Sequence, residues 1–136
     1  MSDTIINKLC DIAKNAAINN TCSKHSGYTV GAALLTYDNK VYKGMNIEND
    51  GIQSICAERT AFVKALSEGE IKFKAIFVVG KEIDSEHFVK TLPCGYCRQF
   101  MSEYADEDFI VYTYDDVEDK LYSYKLSELL PNGFKR

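Results

Sequence analysis

The sequence predicts a layered α/β domain, and three observations carry that prediction. Apolar residues near the start recur at three- and four-residue spacing, the mark of an amphipathic helix. The turn Asp38-Asn39-Lys40 joins two strand-like runs into a hairpin. Two short apolar runs, residues 75–79 and 109–113, each follow a helix-period segment that opens on cysteine. Alternation of this kind yields a sheet covered by helices, here mixing an antiparallel hairpin with parallel crossovers.

Taken in order, residues 4–18 form the first helix, with Ile5, Leu9, Ile12, Ala13 and Ala16 on its apolar face and Asp3 or Thr4 as its cap. Cys10 lies beside that stripe as a small core residue. Residues 19–27 have loop chemistry, and strands follow over 28–37 and 41–47. Gly31-Ala32-Ala33 keeps the first strand narrow enough for close packing. A helix spans 56–67, closed by Gly69, and residues 73–80 read as a buried central strand. Another helix covers 94–104, then strands at 109–113 and 120–124 and a last helical turn at 126–130, stopped by Pro131. The order α-β-β-α-β-α-β-β-α, without repeat or linker, predicts one domain over 1–136.

Composition narrows the function classes. The 136 residues are 46% hydrophobic and 26% charged, with a formal net charge of −4 and no long basic run. A dedicated polynucleotide surface is therefore not expected. The acidic stretch 115–119 reads as a solvated turn. No apolar stretch is long enough to span a membrane, and residues 1–4 lack the layout of a signal peptide, which makes the cytoplasm the expected location. Five cysteines, an odd count, point to free thiols or metal ligands.

Those cysteines carry the chemistry. Cys94 and Cys97, in Pro93-Cys94-Gly95-Tyr96-Cys97, can grip one ion, and Cys56 supplies a third thiolate. Catalytic zinc sites keep the fourth position for water, and Glu58, two residues past Cys56, is placed to take that water's proton and return it to a substrate. Both boxes open predicted helices, so helix N-termini together with Arg59 and Arg98 can draw charge from the sulfurs. Alone, Pro-Cys-x-x-Cys also fits a redox pair or half of a structural zinc site, with Cys10, Cys22, His25 or His87 as fourth ligand, and Glu58 also fits an ordinary helix-surface carboxylate. None of those four has metal-ligand spacing with another. The two boxes together are the signature of zinc nucleobase deaminases.

On these residues the chain resembles the small homotetrameric cytidine deaminases with an all-cysteine zinc site. The likeness takes in Val30-Gly31-Ala32-Ala33-Leu34-Leu35, Gly44-Met45-Asn46-Ile47-Glu48-Asn49, Cys56-Ala57-Glu58-Arg59-Thr60-Ala61, Pro93-Cys94-Gly95-Tyr96-Cys97-Arg98-Gln99 and Glu128-Leu129-Leu130-Pro131. The resemblance implies a three-layer fold with a five-stranded mixed sheet flanked by helices. It implies one Zn²⁺ per subunit on Cys56, Cys94 and Cys97, with Glu58 as proton shuttle and Arg59 tuning the charge. Asn46 and Glu48 match a pair that binds ribose hydroxyls, Tyr28 matches a position against the base, and Ala57 matches a substrate-binding position. Phe134 matches an aromatic that reaches a neighbouring subunit's pocket. The expected activity is hydrolytic deamination of cytidine and deoxycytidine in pyrimidine salvage, by a cytoplasmic homotetramer acting on a small nucleoside, with neither nucleic acid nor membrane as partner. Residues 46–56 are one residue shorter than is usual in the family, and His25-Ser26-Gly27-Tyr28 departs from Tyr-Ser-x-Phe. These changes leave a blasticidin-type nucleoside as the alternative substrate and a non-catalytic zinc module as the more remote reading.

Overall fold

The computed structural model describes all 136 residues. Its elements are α1 (Asp3–Ile18), β1 (Tyr28–Thr36), β2 (Val41–Met45), α2 (Ala57–Ser67), β3 (Phe73–Glu82), α3 (Gly95–Tyr104), β4 (Ile110–Asp115), β5 (Lys120–Lys125) and α4 (Leu126–Leu129). Every expected element is present. The cap of α1 differs: Ser2 Oγ accepts from Ile5 N–H at 3.3 Å, a role the sequence left to Asp3 or Thr4. Gly69, just past α2, takes φ 92° and ends that helix as expected.

The strands form one sheet in the order β2-β1-β3-β4-β5. β1 pairs antiparallel with both β2 and β3, and β4 with β5, so the only parallel pairing is β3 with β4, bridged by α3. The expected plural crossovers reduce to that one.

Side chains alternate across the sheet with period two and feed two cores. Ala32, Leu34, Ile76, Val78 and Val111 face one way, packing with Phe62 of α2, Met101 of α3 and Leu126 of α4. Ala33, Leu35, Ala75, Phe77, Val79 and Tyr112 face the other, against Leu9, Ala13 and Ala17 of α1. The result is three layers, with α1 on one side and α2, α3 and α4 on the other. Burying a side chain such as Phe62 or Phe77 contributes roughly 1.5–3 kcal/mol.

Two glycines set the spacing of these layers. A Cβ on Gly31 would collide with the backbone carbonyl of Ala13 and lie 2.8 Å from Ala17 N in α1. A Cβ on Gly44 would collide with the carbonyl of Ala57 and lie 2.7 Å from Ala61 N in α2. The close packing read from Gly31-Ala32-Ala33 is thus met by α1, and Gly44 does the same for the helix that begins at Cys56.

The acidic stretch 115–119 is not simply a solvated turn. Asp115 is buried and accepts backbone N–H bonds from Lys90, Val117 and Glu118. Asp116 accepts from Phe88 N–H and pairs with Lys14 Nζ at 2.9 Å, tying α1 to the β4–β5 turn. Loop backbone needs these acceptors because no strand neighbour supplies them.

Both contacts of Gly44 are to backbone, which cannot swing aside, so Gly44→Ala must move α2 away from the sheet. Overpacking of this kind costs roughly 1–3 kcal/mol, and the urea midpoint should fall accordingly. An unchanged midpoint would show that α2 can shift without loss.

Candidate active site

Cys56 is the N-cap of α2 and Cys94 the N-cap of α3, each with extended backbone dihedrals (φ −71°, ψ 157°; φ −66°, ψ 167°). Cysteine at an N-cap places a sulfur where the first N–H groups of the helix are unpaired. Cys94 Sγ accepts from Cys97 N–H at 3.5 Å, whereas Cys56 makes no such cap bond. Cys97, one turn into α3, aims at the same point. Cys56 Sγ lies 3.8 Å from Cys94 Sγ, Cys94 Sγ lies 3.5 Å from Cys97 Sγ, and all three sulfurs fall within 4.8 Å of one another.

Sulfurs held at about 2.3 Å from one tetrahedral ion stand close to 3.8 Å apart, so the donor set fits zinc in both type and spacing. Cys97 hydrogen bonding, then Arg59 and Cys94, pull the Cys56 thiol down to about 5 against its burial. The same contact with Cys56, together with burial, pushes Cys97 up. A divalent cation among the sulfurs stabilises all three as thiolates. All five cysteines are unpaired, and burial raises Cys10 to about 11, in keeping with a core position.

Glu58 sits in the first turn of α2 and is only 4% exposed. Burial pushes its carboxyl up to about 7, with the Cys56 charge adding to the effect and its own backbone N–H and Arg59 opposing it. A carboxyl near neutrality can both accept and donate a proton. Arg59 Nη2 lies 3.7 Å from Cys56 Sγ. Arg98 does not share this role: its Nε donates to Pro93 O at 2.7 Å and its Nη1 to Leu129 O at 2.8 Å, bracing α3 against α4.

These groups open into a cavity of about 820 Å³. Cys56, Ala57, Glu58 and Arg59 form one wall, Thr91, Leu92 and Cys94 another, and His25, Ser26, Tyr28, Val30, Asn46 and Glu48 the side opposite. Arg98 aside, eight of the ten residues singled out from sequence line the cavity, and a ninth, Cys97, is buried with its sulfur 3.5 Å from that of Cys94. Phe134 is the exception. It is 69% exposed, pinned by a pair of hydrogen bonds with Gln99, and borders a separate depression with Ser102 and Glu103.

The polar side of the cavity is already bonded. Glu48 Oε1 accepts N–H bonds from His25 at 2.7 Å and Ser26 at 2.9 Å, while Oε2 accepts from Ser26 Oγ at 2.5 Å and Asn46 Nδ2 at 3.2 Å. Burial would raise the Glu48 carboxyl, but these bonds from Ser26, His25 and Asn46 more than offset it and hold it low. Asn46 Nδ2 also donates to Tyr28 O, and its Oδ1 accepts from Val30 N and Asn20 Nδ2. Asn20 and Ser26 were missed because their part is to orient other side chains, and loop chemistry alone does not reveal which residue a loop will face. At the rim, residues 49–54 turn through positive φ at Ile52 (63°) and Ser54 (34°), and Asp50 meets His25 Nε2 at 3.1 Å. Tyr28 packs beneath, its hydroxyl 3.4 Å from Thr91 Oγ1.

A three-cysteine centre at two converging helix starts, with a buried carboxylate beside it in an open cavity, defines a zinc-binding domain built for chemistry on a small molecule. Residues 4–113 match the cytidine and deoxycytidylate deaminase zinc-binding region. The chain belongs to that family. It is 41% identical to the cytidine deaminase of Sporosarcina psychrophila across 82% of this chain and 79% of that protein. The structure of cytidine deaminase from Burkholderia pseudomallei superposes with a TM-score of 0.82 at 34% identity, covering 98% of this chain and all of that one. The blasticidin-S deaminase of Bacillus cereus is 32% identical over 79% of this chain and 77% of its own length.

Zinc should therefore copurify with the protein, and Cys94→Ala should lose it. Because the metal ties α2 to α3, that variant and the chelated wild type should melt at similarly lowered temperatures. Metal analysis beside thermal scans checks this; full zinc content in Cys94→Ala would remove the three-sulfur centre.

Proposed function

We propose that this chain, folded as one domain over 1–136, is a zinc-dependent hydrolytic deaminase that converts cytidine and deoxycytidine to the uracil nucleosides with release of ammonia. The observation that carries it is the meeting, in one cavity, of the three sulfurs, the buried Glu58 carboxylate and the Asn46–Glu48 pair. Held by Cys56, Cys94 and Cys97, zinc supplies Lewis-acid activation of water. Glu58 takes one proton of the attacking water and gives it to the ring nitrogen as the oxygen bonds to the amine-bearing carbon; it then takes the proton of the new hydroxyl and gives it to the amine, which leaves as ammonia as the carbonyl forms. Its burial beside Cys56 keeps its affinity for protons suited to both transfers. Ala57 and Tyr28 flank the base. Glu48 and Asn46 receive the sugar: its hydroxyl replaces Ser26 Oγ or the Asn46 N–H on Oε2, while the two backbone N–H bonds on Oε1 keep the carboxylate ionised and in place.

Arg59 moderates the charge of the thiolates. Five unpaired cysteines, three of which must stay reduced to hold metal, fit a cytoplasmic enzyme of pyrimidine salvage. No helix is long and apolar enough to cross a membrane. A panel of cytidine, deoxycytidine, cytosine, dCMP and blasticidin S decides the substrate. Cytidine and deoxycytidine should be preferred; faster turnover of blasticidin S, or bound zinc without turnover of any cytosine nucleoside, overturns the reading.

Glu58→Gln keeps the shape and removes the proton transfer. Its turnover should drop at least ~10²–10⁴-fold with zinc and melting temperature retained. More than about a tenth of wild-type activity would hand the proton work to another group.

A homotetramer is supported by the open cavity of the single chain and by Phe134, which is exposed and borders a depression separate from that cavity. Four copies packed so that Phe134 of each reaches a neighbour's cavity would close every site, with exposed Tyr104 near the contacts. Light scattering should report a tetramer, and deleting residues 134–136 should raise KM. A fully active monomer, or an unchanged KM in the truncated chain, contradicts the shared site.

A further inference from the structure

Arg59 has no carboxylate partner: none lies in ion-pair contact with it. Its Nη2 donates to Cys56 Sγ at 3.7 Å, and its Nε is buried with no hydrogen-bond partner. The group is held in place by an aromatic face. Arg59 Cζ stands 4.1 Å from the centroid of the Tyr96 ring, in the first turn of α3 between the two cysteines of that helix. Tyr96 is 66% exposed, and no hydrogen bond occupies its hydroxyl, so core packing does not account for its position.

The choice of an aromatic has a physical consequence. A carboxylate would grip the guanidinium by its N–H edges and cancel its charge. A ring grips it by the flat face, leaving the edges and the charge free to act on sulfur. We infer that Tyr96 is a positioning residue for the metal centre: its ring clamps Arg59 against Cys56 and so sets how much negative charge that sulfur presents to the bound ion. The inference rests on the proposed reading only in taking zinc as the ion the three cysteines hold. Without the ring, Arg59 gains solvent-facing rotamers, and its contact with sulfur weakens about two- to fivefold, the size of an exposed cation–ring contact.

The test uses the full chain loaded with Co²⁺ in place of zinc, as wild type, Tyr96→Phe and Tyr96→Leu. More electron-rich sulfurs give up charge at lower energy. The sulfur-to-cobalt band should therefore move to longer wavelength in Tyr96→Leu and stay in place in Tyr96→Phe. The Arg59 side-chain ¹⁵N resonances should show hindered rotation in wild type and Tyr96→Phe, and averaging in Tyr96→Leu. Adding Tyr96→Leu to Arg59→Gln should move the band no further than Arg59→Gln alone, because Tyr96 acts through Arg59. With cytidine, Tyr96→Leu should lower kcat about two- to fivefold and leave KM unchanged. The spectroscopic readouts need no turnover, so a chain inactive on cytidine would defeat the proposed substrate and leave this inference standing. An unmoved band and unaltered Arg59 resonances in Tyr96→Leu would overturn it. So would an equal shift in Tyr96→Phe, an additive double variant, or loss of cobalt binding in Tyr96→Leu.

Discussion

Crowding three thiolates into one small space is the constraint to which the rest of the structure answers. Sulfurs within 4.8 Å of one another repel as anions, and even a divalent cation leaves the cluster with excess negative charge. The chain meets this with positive ends of backbone. Cys56 and Cys94 cap two helices whose first turns converge, and one of those sulfurs takes a helix N–H directly. Convergence at this distance needs α2 pressed onto β2, which the absence of a side chain at Gly44 permits. Arg59, on the turn after Cys56, completes the compensation from the side. Packing, helix placement and electrostatics at the metal centre are therefore one arrangement.

The same economy governs the opposite side of the cavity. Glu48 is an anion facing an open pocket, where water would solvate it and let it wander. Two backbone N–H groups and the Ser26 hydroxyl fix it instead, and Asn46 is fixed by Asn20, Tyr28 and Val30. In the proposed reading the sugar site is thus prebuilt: the diol exchanges with one internal bond and does not have to order a mobile carboxylate, which limits the entropy cost of binding. The wall that closes this side, residues 49–54, carries an isoleucine at φ 63° that is 90% exposed. A β-branched residue is unfavourable there, and the shortened connection between Asn46 and Cys56 leaves little chain in which to avoid it.

Much of this was legible beforehand. Helices, strands and the hairpin followed from periodicity, because a face that must be buried has to repeat with the geometry of its element. The metal centre followed from spacing: Cys94 and Cys97 sit three apart in one chain segment, and Glu58 is bound by two residues to the position of Cys56. Other assignments failed where partners come from elsewhere in the chain. Arg98 directly follows a cysteine, closer in sequence than Arg59 is to Cys56, yet it points into α4 and holds backbone carbonyls. Asp115 looked like a surface charge and is a buried acceptor for a loop.

The sequence by itself determined what is local: which segments are helices and strands, that both cysteine boxes open helices, and that a carboxylate travels with one of them. These properties depend on residues a few positions apart, and the covalent chain sets those distances. Beyond the β1–β2 hairpin, only the tertiary structure decided which strands pair and in which direction, which arginine meets sulfur, and that Asn20 and Ser26 hold the Asn46–Glu48 pair. Most of these depend on contacts across tens of residues: Asn20 meets Asn46, Ser26 meets Glu48, and Arg98 is drawn away from the sulfurs by Leu129 O. There, the close approach of backbones at Gly31 and Gly44 and the orientation of loop N–H groups govern the outcome, and neither is written in the type of any single residue.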